Sequence, residues 1–340
     1  MRASLWAAAA ILVVVAAARI SGAGPTAGAP PPAPGLLSQT GLFAGGTTVD
    51  PRNRPYSPQY PLWTDGAVKA RWIRLPDGAA IDARDEDQWR FPVGTKFWKE
   101  FSFGGRRVET RFLWRARTDT WVFASYVWND DQTDAVLAPA SGVRNVTAIG
   151  EGRSHSVPSI DDCHSCHESG GILGFNALQL STARDPLAPH AEALAPGMLT
   201  LKTLVDEQRL RSARPDLVAN PPRVDARSPV ARAALGYLAS NCGICHHDGA
   251  PIDTRLRLRT APGQSPDALI DVLRTAPTSW GIPSVEQTTR FVAPGHPELS
   301  SIVARMKSRR PSTQMPPLGT VTVDQEGLAL IRKWIEETSD

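Results

Sequence analysis

Apolar and polar positions alternate with a period of two through much of residues 56–139. Val108, Thr110, Phe112, Trp114 and Ala116 alternate with Glu109, Arg111, Leu113, Arg115 and Arg117, the pattern of a strand with one buried and one basic face. Thr118-Asp119-Thr120 predicts a turn, with the returning strand at residues 121–128. Pro76-Asp77-Gly78 predicts a second hairpin between residues 70–75 and 79–82, and Phe91-Pro92-Val93-Gly94-Thr95 leads into a further strand at Lys96–Phe103. The architecture predicted for this part is a β-sandwich or small barrel. Seven of the ten tryptophans fall in it, as core side chains or as rings on which a ligand could stack.

Further along the period lengthens. Residues 199–210 place Leu199, Leu201, Leu204 and Leu210 for burial along a helix, and residues 229–238 form a helical pattern running into Asn241-Cys242. Residues 324–337 put Leu328, Ile331, Trp334 and Ile335 on one helical face. The fold class expected is therefore α+β and multidomain, a β-rich domain (56–150) followed by two α-helical haem-bearing segments (151–225 and 226–340). Residues 24–55, rich in Pro, Gly, Ala and Thr, read as a flexible lead-in.

Composition adds limits. Lys and Arg total 37 against 34 Asp and Glu, for a net charge of +3 with no like-charge run, so nothing asks for nucleic acid as a partner. Arg2, an apolar run over residues 5–18, and Ser21-Gly22-Ala23 together make a secretory signal peptide, with cleavage after Ala23 and a periplasmic destination. The run is short for a span of roughly 20 residues, and no later stretch is apolar enough to cross a bilayer.

All four cysteines lie in one repeated frame. Cys163-His164-Ser165-Cys166-His167 and Cys242-Gly243-Ile244-Cys245-His246 both read C-x-x-C-H, the haem c attachment pattern. Two thiols three positions apart can each form a thioether to one vinyl group of a single porphyrin. The histidine that follows is placed to reach the iron, which makes His167 and His246 the proximal ligands. In an exported chain two disulfides would be the default. A zinc ribbon would space its pairs by about 15–20 residues, whereas these pairs stand 79 apart. A thioredoxin-like pair needs a βαβ context and leaves the histidines unexplained. Two covalently bound haem c groups are the cofactors expected.

Met315, in Gln314-Met315-Pro316-Pro317-Leu318-Gly319 ahead of the last helix, is the expected sixth ligand of the second haem, its loop stiffened by proline. Gly236, Tyr237 and Trp334 suit a close crossing of the first and last helices of a cytochrome c fold. The stretches YLASNCGICHHDG, APGHPELSSIVARMKSRRPSTQMPPLGT and LIRKWIEE resemble the C-terminal half of a group of bacterial dihaem c-type cytochromes. The resemblance covers residues 228–340 well and 155–180 more loosely. It implies attachment at Cys242 and Cys245 with His246 and Met315 on the iron, and it supplies no substrate. At the first haem the sixth ligand is left open between Met198, His190 and none, with His155 a more distant choice. Ile172, Leu173 and Phe175, beside Gly170, Gly171 and Gly174, would wall off a porphyrin face. The face carrying Arg111, Arg115 and Arg117 would be solvated, or would meet haem propionates or an acidic redox partner.

Three functions follow from these residues. The first is electron transfer between periplasmic redox proteins, with both irons six-coordinate. The second is a dihaem peroxidase or oxidase with one open iron. The third is a redox subunit whose β domain binds a partner or ligand. The chain has no G-x-S-x-G, H-E-x-x-H or phosphate-loop pattern and no catalytic constellation.

Overall fold

A six-stranded antiparallel meander organises the first half of the chain. Its strands are β1 (Arg54–Pro55), β2 (Val68–Arg74), β3 (Lys96–Phe103), β4 (Arg106–Arg117), β5 (Thr120–Trp128) and β6 (Ala135–Leu137), hydrogen-bonded in that order. The computed structural model describes residues 30–167, 172–247, 256–259, 266–275 and 290–338. The expected signal peptide and its cleavage point lie outside these residues.

The sheet is open, so the sandwich or barrel expected from the alternation is corrected to a single sheet covered on both faces. One face buries Trp98, Phe112, Ala124, Tyr126 and Trp128 against Leu37 and Leu42. Residues 34–42 are held there by hydrogen bonds from Trp98 Nε1 to Thr40 Oγ1 (2.9 Å) and from the Tyr126 hydroxyl to the Pro34 carbonyl (2.8 Å). Leu37 and Leu42 are fully buried, each worth about 1.5–3 kcal/mol. The stretch expected as a flexible lead-in is thus packed from residue 34 onward. Trp89, Trp98 and Trp128 are buried core side chains.

On the opposite face Ile73 and Phe97 pack with Phe175, Leu201 and Leu204. Two local expectations change here. The strand after Pro76-Asp77-Gly78 leaves the sheet, and Ile81–Asp82 pairs in parallel with Leu210–Arg211 instead of folding back on β2. The helix expected over 199–210 is shortened to Leu201–Asp206, because Glu207 caps it and Gln208 turns left-handed (φ +55°), releasing Leu210 to that pairing. A hairpin of β7 (Val143–Gly150) and β8 (Arg153–Val157) follows the sheet.

The helices are α1 (Ile160–His167), α2 (Leu201–Asp206), α3 (Pro229–Asn241), α4 (Pro266–Thr275), α5 (Ser301–Lys307) and α6 (Gln325–Glu337). Ser228 caps α3 ahead of Pro229, and Asp324 caps α6 through the Gly327 amide (2.9 Å). α3 and α6 pack on each other, with Leu235, Leu238, Ile331 and Trp334 in one core. The small residue at that contact is Gly327. A Cβ there would lie 2.4 Å from the Tyr237 ring, whereas one on Gly236 would strike the Tyr60 ring at 2.3 Å. Gly236 therefore admits the segment before β2 and not the last helix. The described residues from 31 onward form one compact unit, and no helix among them is long and apolar enough to cross a membrane.

Candidate functional site

The first C-x-x-C-H frame is helix α1. Ser159 caps it reciprocally: its amide donates to Asp162 Oδ2 (2.9 Å) and the Asp162 amide donates back to Ser159 Oγ (3.1 Å). Offsets of three and four then put Cys163, Cys166 and His167 on one helical face. Phe123 of β5 receives that turn, with its ring centroid 5.3 Å from those of both His164 and His167.

The second frame continues the end of α3. The Cys242 amide donates to the Leu238 carbonyl (2.9 Å), and the amides of Cys245 and His246 donate to the Cys242 carbonyl (3.1 and 2.9 Å). Gly243 is required because a Cβ would lie 2.4 Å from the Ala239 carbonyl oxygen. Asn241 anchors the turn from below, accepting from the Trp63 amide (2.7 Å) and donating to the Pro61 carbonyl (3.3 Å). Burial lowers the basicity of His246 and favours the neutral imidazole, against a hydrogen bond with the Leu256 backbone that favours the protonated ring.

The fold brings the two frames together. The thiols of Cys166 and Cys245 interact directly, a contact that favours the proton on Cys166 and ionisation of Cys245. Beside them lies a cavity of about 800 Å³. Cys163, Cys166 and His167 border it from the first frame, Ile244 from the second with Asn241 just ahead of it, and Ile172 and Leu173 add apolar wall. Residues 316–321 line it from the far side. Asp65 straps that loop, its Oδ1 accepting from the Val321 and Thr322 amides (2.8 Å each) and the Thr322 hydroxyl (2.9 Å).

Among the candidate sixth ligands, Met315 precedes this lining. It borders a small adjoining void with Trp63, Tyr237 and Arg309, and Arg309 Nη2 donates to its carbonyl (3.2 Å). Met198 does not border the cavity, and its sulfur accepts from the Ala195 amide of its own turn (3.4 Å). Nor does His190, whose Nε2 lies 2.8 Å from Asp324 Oδ1, with Nδ1 3.5 Å from Glu326. Neither therefore borders the cavity: the Met198 sulfur is engaged within its loop, and His190 holds the α6 cap. His155 does border the cavity, with Nε2 3.0 Å from Glu109 Oε2.

The donor set fits haem c. Each frame offers two thiols and an imidazole within one turn, and no three His, Cys, Asp or Glu side chains among the described residues converge as a bare metal site would need. Trp63 Nε1 and Arg309 Nε are buried without hydrogen-bond partners, and both residues border the cavity, so they could serve an anionic group such as a propionate.

The basic face expected on β4 divides. Arg117 is exposed, and Arg115 donates to the Thr118 carbonyl. Arg111 instead turns into the cavity and grips buried Glu109 through Nε (2.7 Å) and Nη2 (3.1 Å). Burial works against ionisation of Glu109, but the Arg111 guanidinium and the His155 hydrogen bond outweigh it and hold the carboxyl at about 2. The residues passed over in the sequence are Asp65, Lys99, Glu109 and Asn241. For Glu109 the signal was present: it shares the alternation phase of Arg111, so a paired charge on one face was readable. Comparison with protein-family models, curated proteins and solved structures gave no match.

Proposed function

We propose that this chain is an exported dihaem c-type cytochrome that carries electrons between redox partners. The observation that carries the reading is that two C-x-x-C-H frames, 79 residues apart in sequence, come to one cavity, bordered by Cys163, Cys166 and His167 of the first and Ile244 of the second. A bound haem supplies an iron that takes up and releases one electron. Around it the chain's own residues divide the work. Cys163 and Cys166 hold one porphyrin and Cys242 and Cys245 the other, while His167 and His246 are the proximal ligands. Met315 is the sixth ligand at the second centre. Asp65 and Asn241 fix the strap that carries its loop. Trp63 and Arg309 offer buried N–H donors to propionates.

A second reading, an enzyme with one open iron, is favoured by one observation: neither Met198 nor His190 reaches the cavity bordered by His167. The test is the visible spectrum of the dithionite-reduced protein before and after carbon monoxide. A c-type spectrum that carbon monoxide leaves unchanged supports the carrier. A shift of about half the signal transfers the assignment to the enzyme, and absence of a c-type spectrum overturns both.

A further inference from the structure

Lys99 and Arg111 border the cavity, and haem attachment and iron ligation leave both unexplained. Arg71 of β2, Lys99 of β3 and Arg111 of β4 are directly opposite one another in register, so their side chains rise in one row from the same face of the sheet. Lys69, two residues before Arg71, shares that face. The counter-charges are two. Glu109 takes Arg111, and Glu192 takes Arg71 Nη1 (2.9 Å) with help from the Ser57 hydroxyl (2.9 Å). Arg71 and Arg111 are thus paired, whereas Lys69 and Lys99 form no ion pair among the described residues, and burial with the neighbouring guanidiniums lowers the basicity of both lysines.

Donors remain free along this row. Arg71, 5% exposed, has Nη2 buried with no hydrogen-bond partner. Arg111 commits only Nε and Nη2 to Glu109. Lys99 borders the cavity and, among the described residues, forms no ion pair, its ammonium lying 5.0 Å from the Phe101 centroid with the Arg111 guanidinium 4.4 Å from the same ring. Crowded like charges whose N–H groups are unspent mark a place built to receive negative oxygen. His155 and Glu109 brace Arg111 from behind, so the guanidinium is held in one orientation.

We infer that Lys99 and Arg111, with Arg71 next to them in the row, form an anion site that binds a carboxylate or small tetrahedral oxyanion in the cavity beside the first C-x-x-C-H frame. The ligand oxygens come either from a propionate of the haem itself, which rests on the proposed function, or from a free anion entering the cavity.

Sulfate is the probe. It is titrated into the full chain at constant ionic strength, made up with chloride, in haem-free and haem-attached forms. Melting temperature is followed in the parent, in Lys99→Met, and in Lys333→Met as a control on exposed α6. In the haem-free parent sulfate raises the melting temperature above the chloride baseline. Lys99→Met weakens apparent sulfate affinity at least tenfold, while Lys333→Met does not. Lys99→Met removes a partly buried charge with no ion pair, so the variant folds, and its own melting curve verifies this. In the haem-attached form the sources separate. If a propionate fills the site, sulfate has no effect and the propionate bending bands in resonance Raman spectra shift in Lys99→Met. If a free anion is the ligand, sulfate still binds and those bands stay in place. Sulfate no better than chloride in the haem-free chain, together with unchanged Raman bands, overturns the inference. A chain that carries no haem defeats the proposed function and leaves the sulfate titration readable.

Discussion

The two C-x-x-C-H frames share a spacing and little else. The second continues a thirteen-residue helix buried in the helical core, and a strap through Pro61, Trp63 and Asp65 ties its turn to the loop that follows Met315. The first sits on an eight-residue helix with no buried residue, resting on Phe123 with the Arg111 guanidinium close to its thiols. Identical local chemistry is thus placed in an apolar, fully tied setting and in a charged, more open one. Desolvation and fixed charge are the terms that tune a bound redox group. Haems held by the two frames, as proposed, should therefore differ in potential and in access.

The largest effect comes from removing one frame at a time. Cys163→Ala with Cys166→Ala, or Cys242→Ala with Cys245→Ala, is expected to halve the covalent haem per chain by pyridine haemochrome assay. If one iron is open, the carbon monoxide response should reside in the variant that keeps Cys163 and Cys166. Equal, non-zero responses from both variants would erase the contrast.

Next is Glu109, the counter-ion beneath the first frame. Glu109→Gln leaves Arg111 without its buried partner and should cost about 3–5 kcal/mol, read as a loss of unfolding free energy in urea. The pH dependence has a definite sign. The Glu109 carboxyl is lowered from its ordinary 4.5 to about 2, so in that window the unfolded chain binds a proton that the native chain does not. The stabilisation is present above about 4.5 and lost as pH falls toward 2. Glu109→Gln should flatten that acid limb. An unchanged limb would remove Glu109 from the account.

Gly327→Val tests the other side of the comparison. Its new side chain would press into Tyr237, whose hydroxyl donates to Asp324 (2.9 Å), at a cost of about 1–3 kcal/mol seen as a lower Tm. At the small end, Met198→Ala should leave the reduced spectrum as it is, whereas Met315→Ala should open the second centre to carbon monoxide.

Much of this was legible in the sequence where one period or one spacing decides. The alternation in residues 106–128 marked β4 and β5, the helical faces marked α3 and α6, and the repeated frame marked all four cysteines. What escaped depended on partners distant in sequence. Ile81–Asp82 pairs with Leu210–Arg211, more than a hundred residues away, and no local pattern announces it. Leu37 and Leu42 lie in a stretch whose composition suggests a linker, yet the far face of the sheet needs a cover. Tyr237 required a small neighbour, which pattern placed at Gly236, but the helix crossing selects Gly327. Arg111 was legible as a cation but not as a cavity wall, because which face of a strand meets solvent is decided by what packs above it.

The central claim is covalent attachment of two haems, and intact mass spectrometry of the acid-denatured chain tests it most directly. Denaturation strips anything held only by ligation or packing, so the account predicts a mass equal to the processed polypeptide plus two haem groups. A polypeptide mass with no addition, with its four cysteines as thiols or disulfides, would contradict it.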